Sequence, residues 1–107
     1  MNSQGVLHAY ERALELTRAM LDAAQKADWD RLVQVEKERS IHIERIKALD
    51  PVPARDGNSR ERKREIILEI LQGDERIQSL TQDWMHELRE VLGSISVEQR
   101  LTRSYGA

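Results

Sequence analysis

Cysteine and phenylalanine are both absent from the 107 residues, proline occurs twice, glycine five times, and the aromatics are two tryptophans and two tyrosines. The lack of cysteine removes disulfides and thiolate chemistry. The lack of phenylalanine leaves leucine, isoleucine, valine and alanine to build the core, a composition suited to packed helices. No apolar run approaches the ~20 residues of a membrane span. Met1 to Tyr10 has neither the basic start nor the apolar centre of a secretory signal, so a cytoplasmic protein is expected. A formal net charge of −2 gives no general attraction to nucleic acid or to an acidic membrane surface. At this length the chain is expected to form one domain.

What is present is helical periodicity. Leu7, Tyr10, Leu14, Thr17, Leu21 and Ala24 recur at steps of three and four, the pattern of an amphipathic helix. In ADWDRL, Ala27 to Leu32, Asp28 offers an N-cap oxygen and Asp30 puts a negative charge in the first turn of a second helix. So short a link makes the two helices antiparallel neighbours. It places Trp29 at their corner, expected to be mostly buried over Ala23, Ala24 and Ala27 at a gain of roughly 2–3 kcal/mol. The second helix spreads Trp29, Leu32, Val33, Val35, Ile43, Ile46 and Leu49 over a wide arc, with Glu36, Arg39 and His42 inside it and Ile41 off it. Two readings stay open here. Glu36 and Arg39 are rim residues that pair with each other, or part of the arc is not covered within the chain. Asp50-Pro51-Val52-Pro53 ends the helix, because proline cannot donate and forces its predecessor out of helical geometry.

Asn58 with Glu61 resembles a capping box, and Ile66, Ile70, Gly73, Ile77, Leu80, Trp84, Leu88, Val91 and Ile95 then hold one three-four phase. A break at Gly73-Asp74 would reset that phase. One helix is therefore expected to run through Gly73, a small residue on the packing face that costs ~1 kcal/mol relative to alanine. About 34 residues span ~51 Å, against ~36 and ~32 Å for the first two helices, so the third overhangs them. Ser96 to Gln99 has the form of another capping box, and Val97, Leu101 and Tyr105 follow at i, i+4, i+8. The reading is an all-α, single-domain antiparallel bundle of three main helices, at about 4–27, 29–49 and 59–92, with a short C-terminal fourth helix at about 97–105. The fourth is too short to persist without docking on the body.

Enzyme chemistry has no foothold in this pattern. His8, His42 and His86 fall one on each helix, and the only carboxylate at a metal-type spacing is Asp83 before His86, whereas a bundle metal site needs several such pairs converging. HELRE, His86 to Glu90, lacks the second histidine of a zinc-protease motif. There is no glycine-rich phosphate loop and no nucleophile elbow. No catalytic residue, metal or cofactor is expected. The basic run SRERKRE, Ser59 to Glu65, is interleaved with Glu61 and Glu65 and lacks aromatics for base stacking. It reads as a solvated face or, if it binds anything, as a contact for an acidic protein surface and not for DNA.

Taken together, Met20, Leu21, Ala24, the Ala27-Asp28-Trp29-Asp30 corner, Leu32, the stretch from Glu36 to Arg39 and the ending Leu101 to Tyr105-Gly106 resemble the flagellar export chaperone family FliT over nearly the whole chain. The resemblance implies a cytoplasmic helical bundle that binds the filament-cap protein FliD and keeps it competent for export. For some members it further implies binding to the flagellar export ATPase and to the master transcriptional activator of flagellar genes, with the C-terminal helix covering the binding groove. The sequence stops two residues past Tyr105, where the family pattern continues, so a shortened lid is expected.

From the residues themselves, Leu68 and Leu71 point away from the main seam of helix three. With Val35, Ile43 and Ile46 on the wide arc of helix two, they give more apolar surface than a three-helix bundle needs to bury, and surplus of this kind marks an interaction site. A cargo helix is expected between helices two and three, with the tail residues Val97, Leu101 and Tyr105 competing for that groove. The second reading is a structural coiled-coil spacer that pairs with its own copy as a homodimer.

Overall fold

The computed structural model describes residues 3–50 and 57–94. They form three helices, α1 (Ser3–Gln25), α2 (Trp29–Leu49) and α3 (Gly57–Ser94), and no strand among the described residues. The bundle and its helix order are as expected; the fourth helix expected at 97–105 falls outside the described residues. α3 is continuous through Gly73 over 38 residues, which at 1.5 Å per residue spans ~57 Å and accounts for an elongated molecule of 63 × 24 × 20 Å. Because α3 begins at Gly57, Asn58 lies inside its first turn and not at the cap position expected for it.

The helix at the centre is α1. Ten of the thirteen buried residues in the described chain lie on it, and none lies on α2. The expected stripe holds: Tyr10, Leu14, Thr17 and Ala24 are buried, with Leu7 and Leu21 at its edge. A second stripe, Ala9, Ala13, Leu16, Met20 and Ala23, is buried beside it. At 100° per residue this second row is turned away from the first, so α1 carries one face for each neighbour, and its alanines let the partner backbone approach closely. Two clusters result. Val6, Tyr10 and Leu14 pack with Ile66; Met20 and Ala24 pack with Ile77. Helix α3 therefore runs parallel to α1 and antiparallel to α2. Its seam is covered as far as α1 extends. Past Trp84 the helix projects beyond the α1–α2 corner, and Met85, Val91 and Leu92 are exposed.

The corner itself closes by hydrogen bonds that satisfy the last carbonyls of α1. Asp28 N–H donates to Ala23 O at 2.8 Å and Ala27 N–H to Ala24 O at 3.1 Å, the paired bonds of a Schellman motif. The motif puts its outer residue in the left-handed region, and here that residue is Ala27, with φ 55°. An alanine there is strained by its Cβ against the following carbonyl. Ala27→Gly is expected to raise stability by about 0.5–1 kcal/mol, read as a higher urea midpoint at unchanged slope. Asp28 then caps α2 as expected, its carboxylate accepting from Arg31 N–H at 3.2 Å.

Trp29 is partly buried rather than mostly buried. It covers Met20, Ala24 and Ile77, leaves Ala27 exposed, and lies against Trp84 of α3 with ring centroids 4.9 Å apart at 48°. The reason is its position on α2, which turns the ring toward α3 instead of squarely over α1.

At Gly73 α3 lies close against α1. A Cβ built there would come within 2.8 Å of Thr17 Cγ2. Thr17 cannot yield, since it is buried and its hydroxyl is tied to Ala13 O at 2.9 Å. Gly73→Ala gains ~1 kcal/mol of helix propensity but overpacks a seam where insertions cost typically ~1–3 kcal/mol. The expected outcome is a net loss of about 1 kcal/mol in urea unfolding, opposite in sign to what an exposed glycine would give.

Candidate functional site

Three side-chain ties join α2 to α3 among the described residues. At the corner Trp29 meets Trp84. In the middle Arg39 Nη1 donates to Asp74 Oδ1 at 2.7 Å and to the Thr17 hydroxyl at 3.0 Å. At the far end Lys63 Nζ lies 3.0 Å from Asp50 Oδ2, with the two side chains only 3% and 7% exposed. The Tyr10 hydroxyl donates to the same carboxylate oxygen at 2.9 Å, and the Lys63 ammonium sits 5.6 Å above the Tyr10 ring centroid. In every pair the two residue numbers add to the same total, so all three obey one antiparallel register.

These ties revise two expectations. Arg39 does not pair with Glu36; it reaches inward to α3 and α1. Its position, eleven residues before Asp50, matches that of Lys63 before Asp74, and eleven residues close almost exactly three turns. The basic run at Ser59 to Glu65 is not uniformly solvated either. Lys63 is buried in its ion pair and Arg62 grips Glu11 with two nitrogens, at 2.8 and 2.9 Å, while Arg60 and Arg64 stay exposed. Of the residues that hold the site together, Asp50, Lys63 and Asp74 were missed by periodicity. The matched spacing of opposite charges on two antiparallel helices was the signal that could have found them.

Between the two ionic ties lies a window about eleven residues long on each helix, or ~16 Å. On α2 it holds Ile43 and Ile46; on α3 it holds Ile67, Leu68, Ile70 and Leu71. The register sets Ile43 opposite Ile70 and Ile46 opposite Ile67. Ile46 and Ile70 pack against the Tyr10–Ile66 cluster and form the floor, whereas Ile67, Leu68 and Leu71 are 38%, 49% and 55% exposed. At the Lys63 end a cleft of ≈ 270 Å³ opens, lined by Arg60, Lys63, Arg64, Ile67 and Leu68. Of the five residues expected to bind a partner, Ile43, Ile46, Leu68 and Leu71 fall along this stretch, with Leu68 on the side of α3 turned away from Ile70. Val35 does not; it lies beyond Arg39 and packs on the Met20–Ala24–Ile77 cluster. Val97, Leu101 and Tyr105 are outside the described residues.

The titratable groups here serve packing. Burial, then the hydrogen bond to Asp50 and its charge, push the Tyr10 phenol up to about 12, so it stays a neutral donor. The hydrogen bonds from Arg62 hold the Glu11 carboxyl below its ordinary value. Burial, followed by the charge of Arg45, pushes the His42 imidazole down, and its Nδ1 is buried without a hydrogen-bond partner. His86 Nε2 lies 3.2 Å from Glu90 on the surface. Among the described residues no group of three or more His, Asp or Glu side chains is placed to hold a metal ion, and no helix is long and apolar enough to cross a membrane.

The family model described as Flagellar protein FliT matches residues 7–107. The Flagellar protein FliT of Photorhabdus laumondii subsp. laumondii is 30% identical over 105 residues, covering 98% of this chain and 84% of that protein. The Flagellar protein FliT of Escherichia coli O6:K15:H31 is 27% identical over 105 residues, with coverage of 98% and 87%. No solved structure matches the chain. With the match running from Leu7 across all three helices, the chain belongs to the FliT family of flagellar proteins.

Proposed function

We propose that this protein is a cytoplasmic flagellar export chaperone, not an enzyme, whose cargo is a helical segment of the filament-cap protein FliD. The observation that carries the reading is the window between the Arg39–Asp74 and Lys63–Asp50 ties. Its α3 wall exposes Ile67 and Leu71 beside a floor closed by Ile46 and Ile70, with Leu68 exposed further round the helix. The bundle does not need these side chains for its own core, and an amphipathic helix laid in the groove would cover them. Ile43 and Leu71 are the proposed walls, Leu68 the outer rim, and Val35 contributes by supporting α2. The tail residues Val97, Leu101 and Tyr105 compete for the groove, so their docking free energy subtracts from cargo affinity. Binding to the export ATPase and to the master transcriptional activator of flagellar genes belongs to the same proposal as a further use of the surface.

The test is a calorimetric titration of the FliD C-terminal region into the full chain, a chain lacking residues 96–107, Ile43→Asp and Leu71→Asp. Either charge is expected to weaken binding at least tenfold, since a buried unpaired carboxylate costs several kcal/mol, about 2 or more. The deletion is expected to strengthen binding or leave it unchanged. Undiminished binding in both charge variants would place the groove elsewhere, and loss of binding on deletion would make the tail part of the site. The end of α3 beyond Trp84, with Met85 and Leu92 exposed, favours one second reading, self-association through that overhang. A concentration-dependent dimer abolished by Leu92→Asp, with no cargo binding, would support it.

A further inference from the structure

One face of α3 combines charge and apolar surface in a fixed order. Arg60 and Arg64 are four residues apart, Ile67 and Leu68 follow a turn later, then Leu71, then Glu75. All six are exposed, and they form a strip about four turns, or ~22 Å, long. Most other cations of the bundle are engaged: Arg12, Arg18, Lys26, Arg31, Arg39, Lys47, Arg62 and Lys63 each have a carboxylate within ion-pair distance. Arg60 and Arg64 have none among the described residues, although both line the cleft that opens beside Lys63.

Their place makes this noteworthy. The N-terminal end of a helix carries the positive end of its dipole, and the first turn of α3 contains no acidic residue. Arg60 at the end of that first turn and Arg64 one turn on, both without a carboxylate partner among the described residues, add positive charge where the helix favours negative charge. That arrangement is unfavourable in the free protein and is relieved by an anionic group brought from outside.

We propose that the strip reads the polarity of its partner: the bound segment is an amphipathic helix lying antiparallel to α3, with carboxylates in its last turn on Arg60 and Arg64. The proposal rests on the groove reading above and specifies the chemistry of its occupant. An antiparallel helix brings its own negative dipole end to the same place, so dipole and side-chain charge act together. Its apolar stripe then falls on Ile67, Leu68 and Leu71, and a basic residue one turn further back meets Glu75. A simple anion would not use the apolar residues. An acidic membrane would meet Glu61, Glu65 and Glu69, which are exposed on the same helix, and so would be repelled by the flanks of the strip. A single helix is narrow enough to avoid them.

The test uses two synthetic helical peptides with one shared leucine stripe, one ending in two glutamates and the other in two lysines, titrated against the full chain. The acid-ended peptide is expected to bind about tenfold more tightly at low salt, from two rim pairs of modest strength, and the gap is expected to close as salt is added. The double substitution Arg60→Glu with Arg64→Glu should reverse the preference. It removes exposed cations and adds acids near the positive end of α3, so the fold is kept. A spin label on the peptide's last residue should broaden the amide resonances near Arg60, and not those near Glu75. Equal affinity for the two peptides overturns the charge assignment but leaves the groove, whose own test is the loss of both peptides in Leu71→Asp. Broadening near Glu75 overturns the orientation. Binding of neither peptide, or tight binding to anionic vesicles that the double substitution abolishes, overturns the inference.

Discussion

Asp50→Ala is expected to destabilise the protein by about 3–5 kcal/mol, because it leaves the Lys63 ammonium buried without its counter-charge. The whole stability of a chain this size is of order 5–15 kcal/mol, so one carboxylate accounts for a large share. Three groups lose a partner together. Lys63 loses its ion pair at 3.0 Å, the Tyr10 hydroxyl loses its acceptor at 2.9 Å, and the residue that closes α2, through Asp50 N–H to Ile46 O, loses its side-chain anchor. Lys63→Met should cost less than Asp50→Ala, since methionine fills the same channel and Asp50 keeps Tyr10 as a donor. The double variant Asp50→Leu with Lys63→Met should recover most of the loss, as apolar replacements of buried ion pairs do. Thermal unfolding of the parent, Asp50→Leu, Lys63→Met and their double variant under one buffer gives the cycle. A loss below about 1 kcal/mol for Asp50→Ala, the range of exposed pairs, would mean that water reaches the site.

Trp29→Ala carries the second large effect, about 3 kcal/mol, the low end for tryptophan-to-alanine core changes because the ring is only partly buried. The substitution uncovers Met20, Ala24 and Ile77 and removes the ring partner of Trp84. Trp29→Phe should cost much less. It keeps the apolar contact and removes an indole Nε1 that is buried with no acceptor, a group whose desolvation is itself unfavourable by ~1–3 kcal/mol. Two adjacent indoles also give a near-ultraviolet circular dichroism signal that either substitution should abolish while far-ultraviolet helicity is retained. Unchanged thermal stability in Trp29→Ala would show that the corner is held by the Schellman hydrogen bonds alone.

Much of this architecture is written in single-helix patterns. The unbroken phase from Ile66 to Leu88 predicts α3 through Gly73 and hence the overhang, and Asp28 announces the start of α2. Leu68 and Leu71 were singled out as surplus apolar surface, and both are exposed. What escaped belongs to relations between helices. Ala9, Ala13 and Ala23 are too small to stand out in a hydrophobic pattern, yet they form the face of α1 that lets a neighbour close in. Asp50 looks like linker and Lys63 looks like a solvated cation until the antiparallel register brings them together. Arg39 has a carboxylate one turn away in Glu36, so a local pair is the natural expectation; only the fold reveals that Asp74 and Thr17 compete for it. Ala27 in the left-handed region could not be foreseen, because the usual marker of that conformation is glycine.

A helix without a single buried residue is fastened to its protein instead of being embedded in it, and α2 is such a helix. It is held by half-buried side chains laid on the small-residue face of α1 and by an indole stack, a guanidinium and an ammonium, each reaching from or to α3. Trp29, Leu32, Val35 and Ile46 lie half-buried on the clusters built around Ile66 and Ile77. Every apolar side chain of α2 thus keeps part of its surface in water. A helix laid along α2 would complete a contact already half made, and the seam between the other two helices would stay as it is.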